Sequence, residues 1–439
     1  MQVVKFGGTS VGKPERMKKI ANLVLNMPGK KIVVLSALSG TTNALVKIGD
    51  FLLADKHADA RNEIATLEKH YLTFVKELYE TEAYHAIGEE LVSRYFSLFR
   101  LLAAGKFDDR GYRELLAQGE LMSTELFYHH CHERKINARL LPALHFMSID
   151  ENNEPELDKI RERLVPILES INNVDMLITQ GYICRNHKNE IDNLKRGGSD
   201  YTASLIGAAV RAEEIQIWTD IDGMHNNDPR VVKKTVPIAE LTFDEASELA
   251  YFGAKILHPS TIVPAQKYSV PVSLKNTMDE KAFGTLISEK GTAGQFKAIA
   301  AKDGITAIKI KSSRMLLAYG FLRQVFEVFE KYKTPIDMIS TSEIAISLTI
   351  DDNKHLDEIE TELKTFGSIE VDKNQTIICV VGNKLSEKEG VLKEVFDALG
   401  NIPIRMVSYG GSNNNISVLV ETSQKEKALN LLNEGLFGL

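Results

Sequence analysis

The first fourteen residues combine an apolar strand, two adjacent glycines and the start of a helix, and few folds accommodate that order. The strand runs directly into Gly7 and Gly8, and a helical pattern begins at Pro14, a residue that is well tolerated in a first helical turn. A turn of this kind directs backbone N–H groups and a helix amino terminus toward an anion. The pattern therefore predicts a phosphate site at the end of a strand.

Polar side chains around this turn suit a phosphate. Lys5 lies in the strand itself and would place a compact positive charge on a transferring phosphoryl group, while Thr9 and Ser10 add hydroxyl donors. The glycine spacing before Lys13 also matches most of a P-loop, but Pro14 stands where that motif requires Ser or Thr to hold Mg²⁺. A P-loop nucleotide switch therefore stays open only as an alternative that ranks below those given later, and Lys13 is interpreted as a solvated residue. An ordinary strand-to-helix turn also stays open.

The composition excludes several classes of protein. The chain has 439 residues, enough for two or three domains, and its 53 basic and 60 acidic residues give a net charge of -7. Nucleic acid and anionic membranes are therefore poor partners. No apolar segment has the length of a membrane span or the form of a signal peptide. The three cysteines are widely spaced and suggest neither a disulfide framework nor a metal cluster, so we expect a cytoplasmic protein.

Repeated strand, loop and helix patterns predict the fold class. A short continuous apolar run at residues 31–35 is typical of a buried parallel strand, and further strand patterns cover residues 138–141, 174–179 and 214–218. A loop rich in hydroxyl groups follows the first of these runs at residues 36–43, and residues 43–135 have helical periodicity. The sequence therefore predicts an α/β fold, a mostly parallel sheet with helices on both faces.

Two further segments carry candidate functional groups. Residues 194–203 contain paired glycines at the start of a helix, with Arg196 offering a planar fork for a carboxylate. Asp200 in the same segment is either a helix cap or the partner that orients Lys5. Glu120 lies beside a glycine within the helical region, and periodicity alone would leave it on a solvated helix face.

Five motifs together resemble the aspartokinases, a branch of the amino acid kinase fold. They lie at residues 5–10, 119–123, 197–202, 218–220 and 252–259, and the resemblance covers essentially the whole chain. It implies ATP-dependent phosphorylation of the side-chain carboxylate of L-aspartate to 4-phospho-L-aspartate, which begins the pathway to lysine, threonine and methionine. No fused dehydrogenase is expected from this sequence.

The resemblance also implies roles for individual residues, with Mg²⁺ held mainly through the ATP phosphates. Lys5 and Asp200 would be catalytic. The family pattern often has Tyr where this chain has His225. The implied contacts to L-aspartate are Thr42, Glu120, Arg196, Gly197, Gly198 and Ser199. The implied contacts to the nucleotide are Lys5, Phe6, Gly7, Gly8, Thr219, Asp220, His225, Arg230, Lys255 and Ile256.

This chemistry requires no general base. A carboxylate with an ordinary pKa of about 3.9 is already ionised at neutral pH, so catalysis reduces to positioning and charge neutralisation. Two alternatives stay open, namely another carboxylate or carbamate kinase of the same fold and a catalytically silent amino-acid sensor. The pairing of Glu120 with Arg196 favours an amino acid with two carboxylates, and intact Lys5, Asp200 and Lys255 argue against a silent sensor.

An internal repeat follows a linker at residues 291–294. Residues 320–326 recur as 390–396, and residues 346–350 recur as 416–420. Each copy has the order of a ferredoxin-like module, and the two resemble a tandem pair of ACT domains. A passive dimerisation domain is the alternative. The predicted domains are a catalytic domain at 1–295, a first ACT module at 304–373 and a second at 297–303 plus 374–439.

The first copy carries acidic and hydroxyl groups that the second copy lacks. Asp337 and Glu343 supply carboxylates, whereas the second copy has Arg405 and a neutral run. This asymmetry suggests a cationic amino acid, and the positions resemble the effector site of lysine-sensitive aspartokinases, at the interface of a homodimer or a dimer of dimers. Feedback inhibition by L-lysine is expected, with threonine as the alternative. The implied effector contacts are Met315, Ala318, Phe321, Leu322, Asp337, Thr341, Ser342, Glu343 and Ile344.

Overall fold

The structure, a computed structural model, describes residues 1–195, 197–253, 257–312 and 319–439. The chain divides into two units, Met1–Met224 with Leu257–Glu289 and His225–Ile256 with Lys290–Leu439. Among the described helices, none combines the length and the apolar character needed to cross a membrane.

Strands and helices are numbered in chain order. The strands are β1 (Gln2–Phe6), β2 (Lys31–Leu35), β3 (Ala138–Leu140), β4 (Met176–Gln180), β5 (Ile183–Arg185), β6 (Ile191–Asn193), β7 (Glu214–Thr219), β8 (Glu240–Thr242), β9 (Val272–Asn276), β10 (Thr285–Ser288), β11 (Phe296–Lys311), β12 (Ile339–Thr341), β13 (Ala345–Ile350), β14 (Ser368–Gly382), β15 (Met406–Tyr409) and β16 (Asn415–Glu421). The helices are α1 (Gly8–Val11), α2 (Pro14–Asn26), α3 (Thr41–Leu53), α4 (His57–Leu78), α5 (Glu82–Ala104), α6 (Asp109–Glu133), α7 (Leu157–Glu169), α8 (Gly198–Val210), α9 (Phe243–Tyr251), α10 (Pro259–Lys267), α11 (Phe321–Lys331), α12 (Leu356–Leu363), α13 (Val391–Leu399) and α14 (Lys425–Phe437).

The first unit is built on a mostly parallel sheet. Its strands lie in the order β3-β4-β2-β1-β7-β9-β10, and the last of them is antiparallel to β9. Strand β1 is central, pairing in parallel with β2 on one side and with β7 on the other. The loops that follow β1, β2, β4 and β7 therefore leave the same edge of the sheet, where ligands of α/β proteins bind.

Helices cover both faces of this sheet, as the sequence predicts. Val4 and Phe6 of β1 belong to a core cluster that includes residues of helices α2 to α6. Successive residues of a strand point to opposite faces, and Ile215 of β7, which pairs with Val3, lies on the face opposite to that of Val4 and Phe6. There it meets α8, because a Cβ added at Gly207 would come within 2.4 Å of the Ile215 side chain. Both faces of the parallel sheet are therefore buried.

Local patterns anticipated most elements of this unit. Helix α2 begins at Pro14, the predicted start, and the helical region of residues 43–135 consists of helices α3 to α6. Helix α1, a single turn at the paired glycines, and the antiparallel β5–β6 hairpin were not predicted. Each of these is too short to show a period in the sequence.

The second unit contains an antiparallel sheet with the strand order β12-β13-β11-β14-β16-β15. The long strands β11 and β14 pair along most of their lengths. One core cluster places residues of α11 and α12 against the later part of β11, and another places α13 and α14 against its earlier part. The two repeat copies are thus two ferredoxin-like modules that share a continuous sheet. The strand pairings are consistent with the predicted limits of the modules, and those limits stay a prediction.

Residues 225–256 belong to the second unit, although the predicted catalytic domain runs to residue 295. Two contacts of Asn226 explain why. Its carbonyl accepts a hydrogen bond of 2.8 Å from the Ile299 N–H, and its side chain donates one of 2.9 Å to Asn433 Oδ1. Both partners lie far along the chain, so local sequence patterns do not show them.

Candidate functional site

An ion pair lies at the end of the central strand. Lys5 Nζ is 2.5 Å from Oδ1 of Asp200, which is in the first turn of α8. Gly7 leaves room for the ammonium group, since a Cβ there would lie 3.3 Å from Lys5 Nζ. The structure thus brings the two predicted catalytic residues together, and Lys13, the alternative P-loop lysine, is exposed at the start of α2.

A cavity of about 520 Å³ opens beside this turn in the first unit. It is bounded by the loops that follow β1, β2 and β4 and by the start of α8, so the loops predicted to share one sheet edge do meet there. Five of the predicted site residues line it, namely Gly8, Thr42, Glu120, Gly198 and Ser199, together with other residues. The lining residues are Gly8, Thr9, Ser36, Ala37, Leu38, Ser39, Gly40, Thr42, Asn43, Glu120, Tyr182, Gly198 and Ser199.

Glu120 is the buried acidic group of this cavity. Glu120 is only 4% exposed, so the prediction from periodicity that it lies on a solvated helix face is wrong. The Ala37 N–H donates to Oε1 at 3.3 Å, while Oε2 has no hydrogen-bond partner among the described residues. Burial raises the pKa of Glu120 to about 8. A buried carboxyl group with one free oxygen can accept hydrogen bonds from an ammonium group and would ionise on doing so.

Helix α6 approaches the cavity because of a glycine. A Cβ at Gly119 would lie 2.9 Å from the Ala37 side chain, closer than real Cβ contacts come. The Gly-Glu pair therefore lets α6 lie against the loop after β2, and this contact brings the Glu120 carboxyl group to the Ala37 N–H.

The start of α8 forms the opposite wall. Gly197 and Gly198 have positive φ angles of 70° and 49°, a conformation that favours glycine. Ser199 accepts a hydrogen bond of 2.9 Å from the Ser36 hydroxyl, so it faces the loop after β2. A Cβ at Gly181 would come within 2.3 Å of Ser199 Oγ. Glycine at the end of β4 is therefore required for this approach.

Tyr182 and Ser36 are cavity residues that the sequence analysis missed. Tyr182 has a positive φ of 66°, which is unusual for a residue with a side chain and is found preferentially at functional sites. Ser36 is the first residue of the loop rich in hydroxyl groups after β2, a segment whose sequence does not distinguish one hydroxyl group from another. The signal that both residues share is a position within two residues of the end of a parallel strand.

The hydroxyl groups of Thr9 and Ser10 point to different places. Thr9 lines the cavity, whereas Ser10 is fully buried and lies 2.8 Å from Thr277 Oγ1, oxygen to oxygen. The prediction that both residues supply donors to a phosphate is therefore wrong for Ser10. Its hydroxyl is used inside the protein, because successive residues of a helical turn face different directions.

The predicted nucleotide contacts are distributed over the chain. Thr219 ends β7 and donates a hydrogen bond of 3.1 Å to the neighbouring Asp220, and the Phe6 ring is buried against Trp218, which leaves the Phe6 backbone for a ligand. His225 and Arg230 belong to the second unit, where the guanidinium group of Arg230 donates two hydrogen bonds to the Asp228 carboxylate. Arg196, Lys255 and Ile256 lie outside the described residues.

The predicted effector contacts lie in the first ACT module. The Asp337 side chain is 1% exposed, and its Oδ1 is bound by Lys302 Nζ at 2.7 Å and by the Tyr251 hydroxyl at 2.9 Å. The Phe321 ring is in the module core. The other described residues of this set are exposed, namely Leu322, Thr341, Ser342, Glu343 and Ile344, whereas Met315 and Ala318 lie outside the described residues.

Comparison with known proteins agrees with this geometry. The model of the amino acid kinase family matches residues 1–276, and a model of the ACT domain matches residues 378–436. The lysine-sensitive aspartokinase 3 of Escherichia coli strain K12 is 34% identical over 454 residues, which cover 99% of each chain.

Two solved structures are similar over the same span. The crystal structure of E. coli aspartokinase III in complex with aspartate and ADP is 33% identical and covers 100% of both chains, with a TM-score of 0.84. The structure of that protein in complex with lysine and aspartate is 34% identical and covers 100% of this chain and 99% of its own, with a TM-score of 0.79. Because the sequence, both domain types and the fold agree over the full length, this chain belongs to the aspartokinases, the aspartate kinases of the amino acid kinase family.

Proposed function

We propose that this aspartate kinase uses ATP as its phosphoryl donor and binds L-aspartate in the cavity between the loop after β2 and the start of α8. The observation that carries the proposal is the buried carboxyl group of Glu120, a residue that lines the cavity and whose Oε2 has no hydrogen-bond partner among the described residues. In this assignment Glu120 binds the substrate ammonium group. Thr42, Arg196, Gly197, Gly198 and Ser199 complete the aspartate site.

Lys5 and Asp200 are proposed as the catalytic residues. Lys5 would neutralise charge on the transferring phosphoryl group, and Asp200, 2.5 Å from its ammonium group, would hold it in place. The backbone N–H groups at Gly7 and Gly8 would contact the phosphates. The aspartate carboxylate is already ionised and attacks directly, so no covalent intermediate with the protein is needed. The remaining nucleotide contacts are proposed as Phe6, Thr219, Asp220, His225, Arg230, Lys255 and Ile256.

Mg²⁺ is proposed to bind mainly through the phosphates of ATP. The described residues contain no group of three or more His, Cys, Asp or Glu side chains that could hold a metal ion. A Mg²⁺ ion that is carried by the nucleotide needs few protein ligands, because this cation usually keeps several of its waters. Bound in this way, Mg²⁺ supplies positive charge to the phosphate oxygens.

The substrate assignment can be tested by trapping the acyl phosphate. With ATP, Mg²⁺ and hydroxylamine, L-aspartate is expected to yield a hydroxamate, whereas N-acetyl-L-aspartate, which lacks the ammonium group, is expected to react at least about 10-fold less efficiently because Glu120 loses its partner. The measurement is kcat/KM for each acid, with L-glutamate as a control for chain length. Equal efficiency for the acetylated substrate would contradict the role of Glu120, and a preference for glutamate would favour another carboxylate kinase of this fold.

We also propose feedback inhibition by L-lysine, bound at the first ACT module. The relative at 34% identity is named as lysine-sensitive, and a solved structure of it contains lysine. In this chain the Asp337 carboxylate already binds the ammonium group of a lysine side chain, that of Lys302. The Oδ2 atom of Asp337 has no hydrogen-bond partner among the described residues. The site is thus suited to the charge of this effector, which would compete with Lys302 or bind beside it. Inhibition requires that lysine prefer a less active state.

Asp337→Asn is expected to raise the lysine concentration for half-inhibition by about 10-fold or more, because it removes a buried charge that faces an ammonium group. Uninhibited kcat should stay unchanged, and Glu343→Ala should act in the same direction. Asp351→Asn is the matched control, since Asp351 Oδ2 also binds Lys302, at 2.8 Å, but is not an assigned effector contact. Inhibition by threonine alone, or equal lysine sensitivity in wild type, Asp337→Asn and Glu343→Ala, would contradict the assignment.

The effector module is also proposed to mediate a homodimer, or a dimer of dimers. Strand β12 lies at one edge of the antiparallel sheet, and all three of its residues are exposed. Exposed apolar side chains of the same module are Leu322, Phe326 and Ile344. An uncovered edge strand with apolar neighbours is a surface that proteins normally pair or cover. Light scattering of the purified protein measures its mass, and a monomer at micromolar concentration would contradict the proposal.

A further inference from the structure

Ser10 connects the phosphate turn to a strand on the far side of β7. Its hydroxyl oxygen lies 2.8 Å from Thr277 Oγ1 and 3.5 Å from the carbonyl oxygen of Trp218. Both hydroxyl groups are satisfied when Thr277 donates to Ser10 and Ser10 donates to that carbonyl. Ser10 is fully buried and Thr277 is 9% exposed, so water competes poorly for this contact.

Thr277 makes a second contact, through its backbone. It follows β9, and its N–H donates a hydrogen bond of 2.8 Å to the carbonyl of Thr219 at the end of β7. The Gly7 N–H approaches the same region by donating to the Trp218 carbonyl at 3.3 Å. Thr277 therefore holds two segments at once, the glycine turn through its side chain and the end of β7 through its main chain.

These two segments are the ones assigned above to ATP, with Gly7 and Gly8 at the phosphates and Thr219 with Asp220 at the rest of the nucleotide. We infer that Thr277 is a positioning residue for ATP, whose hydroxyl acts through Ser10 to fix the glycine turn relative to Thr219. The inference rests on the proposed function, because it concerns the nucleotide site assigned there.

The glycine turn depends on such a contact for a physical reason. Helix α1 is one turn long, and the backbone N–H groups of Ser10 and Val11 both donate to the carbonyl of Gly7. Glycines restrict the backbone least of all residues, so a turn built on them needs contacts from outside to hold one conformation. The Ser10–Thr277 pair supplies a contact of that kind, because its two side chains are far apart in the sequence.

Thr277→Val keeps the shape of the side chain and removes its hydroxyl. The KM for ATP is expected to rise about 3- to 10-fold, the effect of one buried hydrogen bond, while the KM for aspartate changes by less than about twofold. Thr277→Ser restores the hydroxyl and should return the KM for ATP to within about twofold of the wild type. Ser10→Ala should reproduce the effect of Thr277→Val, and the double variant should lose no more than either alone, because both remove the same contact.

Thr376→Val is the matched control. Thr376 is also fully buried, and in the second unit its hydroxyl donates a hydrogen bond of 2.8 Å to Asp303 Oδ1 and lies 3.0 Å from the hydroxyl oxygen of the exposed Thr422, so the substitution removes a buried threonine hydroxyl and its hydrogen bonds away from the ATP site. Its KM for ATP should equal that of the wild type. If Thr277→Val does not fold, Ser10→Ala and its dissociation constant for ADP provide the measurement.

Several results would overturn the inference. These are equal changes in the KM for ATP and for aspartate, a lower Tm with an unchanged KM for ATP, or no recovery in Thr277→Ser. Failure of the wider assignment has a separate signature, because Lys5→Ala would then retain activity. Loss of activity in Lys5→Ala together with a silent Thr277→Val would remove only the role of Thr277.

Discussion

Lys5→Ala is expected to lower kcat by roughly 100-fold or more, which corresponds to about 3 kcal/mol of transition-state stabilisation. The reason is that Lys5 is the buried cation at the end of β1, 2.5 Å from Asp200 and beside the glycine turn. A charge held in place before the reaction stabilises the transferring phosphoryl group without reorganisation of solvent. Steady-state kinetics in the hydroxamate assay gives kcat and both KM values for this comparison.

Lys13→Ala is the control for this prediction. Lys13 is exposed and has the spacing of a P-loop lysine. A phosphate bound by Lys13 would therefore lie at a different place from one bound by Lys5. Activity within about twofold of the wild type is expected for Lys13→Ala, as for most exposed substitutions away from a site. A larger loss of activity in Lys13→Ala than in Lys5→Ala would contradict the assignment of Lys5 and would favour a phosphate bound by Lys13.

Glu120→Gln is expected to raise the KM for aspartate by roughly 10- to 100-fold, because a hydrogen bond between charged groups in a buried site becomes a weaker neutral one. The substitution keeps the size of the side chain and its acceptor oxygen toward the Ala37 N–H. The KM for ATP should change little. The split between the two KM values shows whether Glu120 contacts the amino acid.

The KM for aspartate is also expected to depend on pH. Burial raises the pKa of Glu120 to about 8, so in the empty site the carboxyl group is neutral below that pH and charged above it. The substrate ammonium group binds the charged form more tightly. The KM for aspartate should therefore fall as the pH rises from 6.5 toward the pKa, by up to about tenfold per pH unit, and level off above it.

The contribution of Glu120 to stability should fall as the pH rises, whereas the affinity for aspartate should increase. The pKa of Glu120 is raised in the folded protein from an ordinary value of 4.5 to about 8, so the folded state binds more protons than the unfolded state between these values. The contribution of this group to the free energy of unfolding is fully present below about pH 4.5 and is lost as the pH rises through about 8. Thermal unfolding of wild type and Glu120→Gln across this range measures the difference.

Glu245→Gln is the matched control for both pH effects. Burial also raises the pKa of Glu245, but this residue caps helix α9 in the second unit, and glutamine preserves that capping box. Its substitution should leave the KM for aspartate and its pH dependence unchanged. A pH-independent KM in the wild type, or the same pH dependence in Glu120→Gln, would contradict the assignment of Glu120.

The sequence by itself predicted the fold class and the residues of the main motifs. Strands β2, β4 and β7 and the start of α2 follow from local apolar patterns and a proline, and the repeat predicted two similar modules. Lys5, Asp200 and the paired glycines stood out because unusual residue types occur together over a few positions. Signals of this kind are local, since they depend on the period of the backbone and on the conformations that glycine and proline allow.

Only the tertiary structure decided which of these groups face one another. Glu120 is buried, not solvated, because Gly119 lets α6 approach Ala37, and Ser10 faces Thr277 instead of the cavity. Asp337 is paired with Lys302 of strand β11. Each of these outcomes depends on atoms that lie between 35 and 267 residues apart in the chain. The period of a helix or strand says which side chains share a face, but long-range packing determines whether that face meets water, a ligand or another part of the protein.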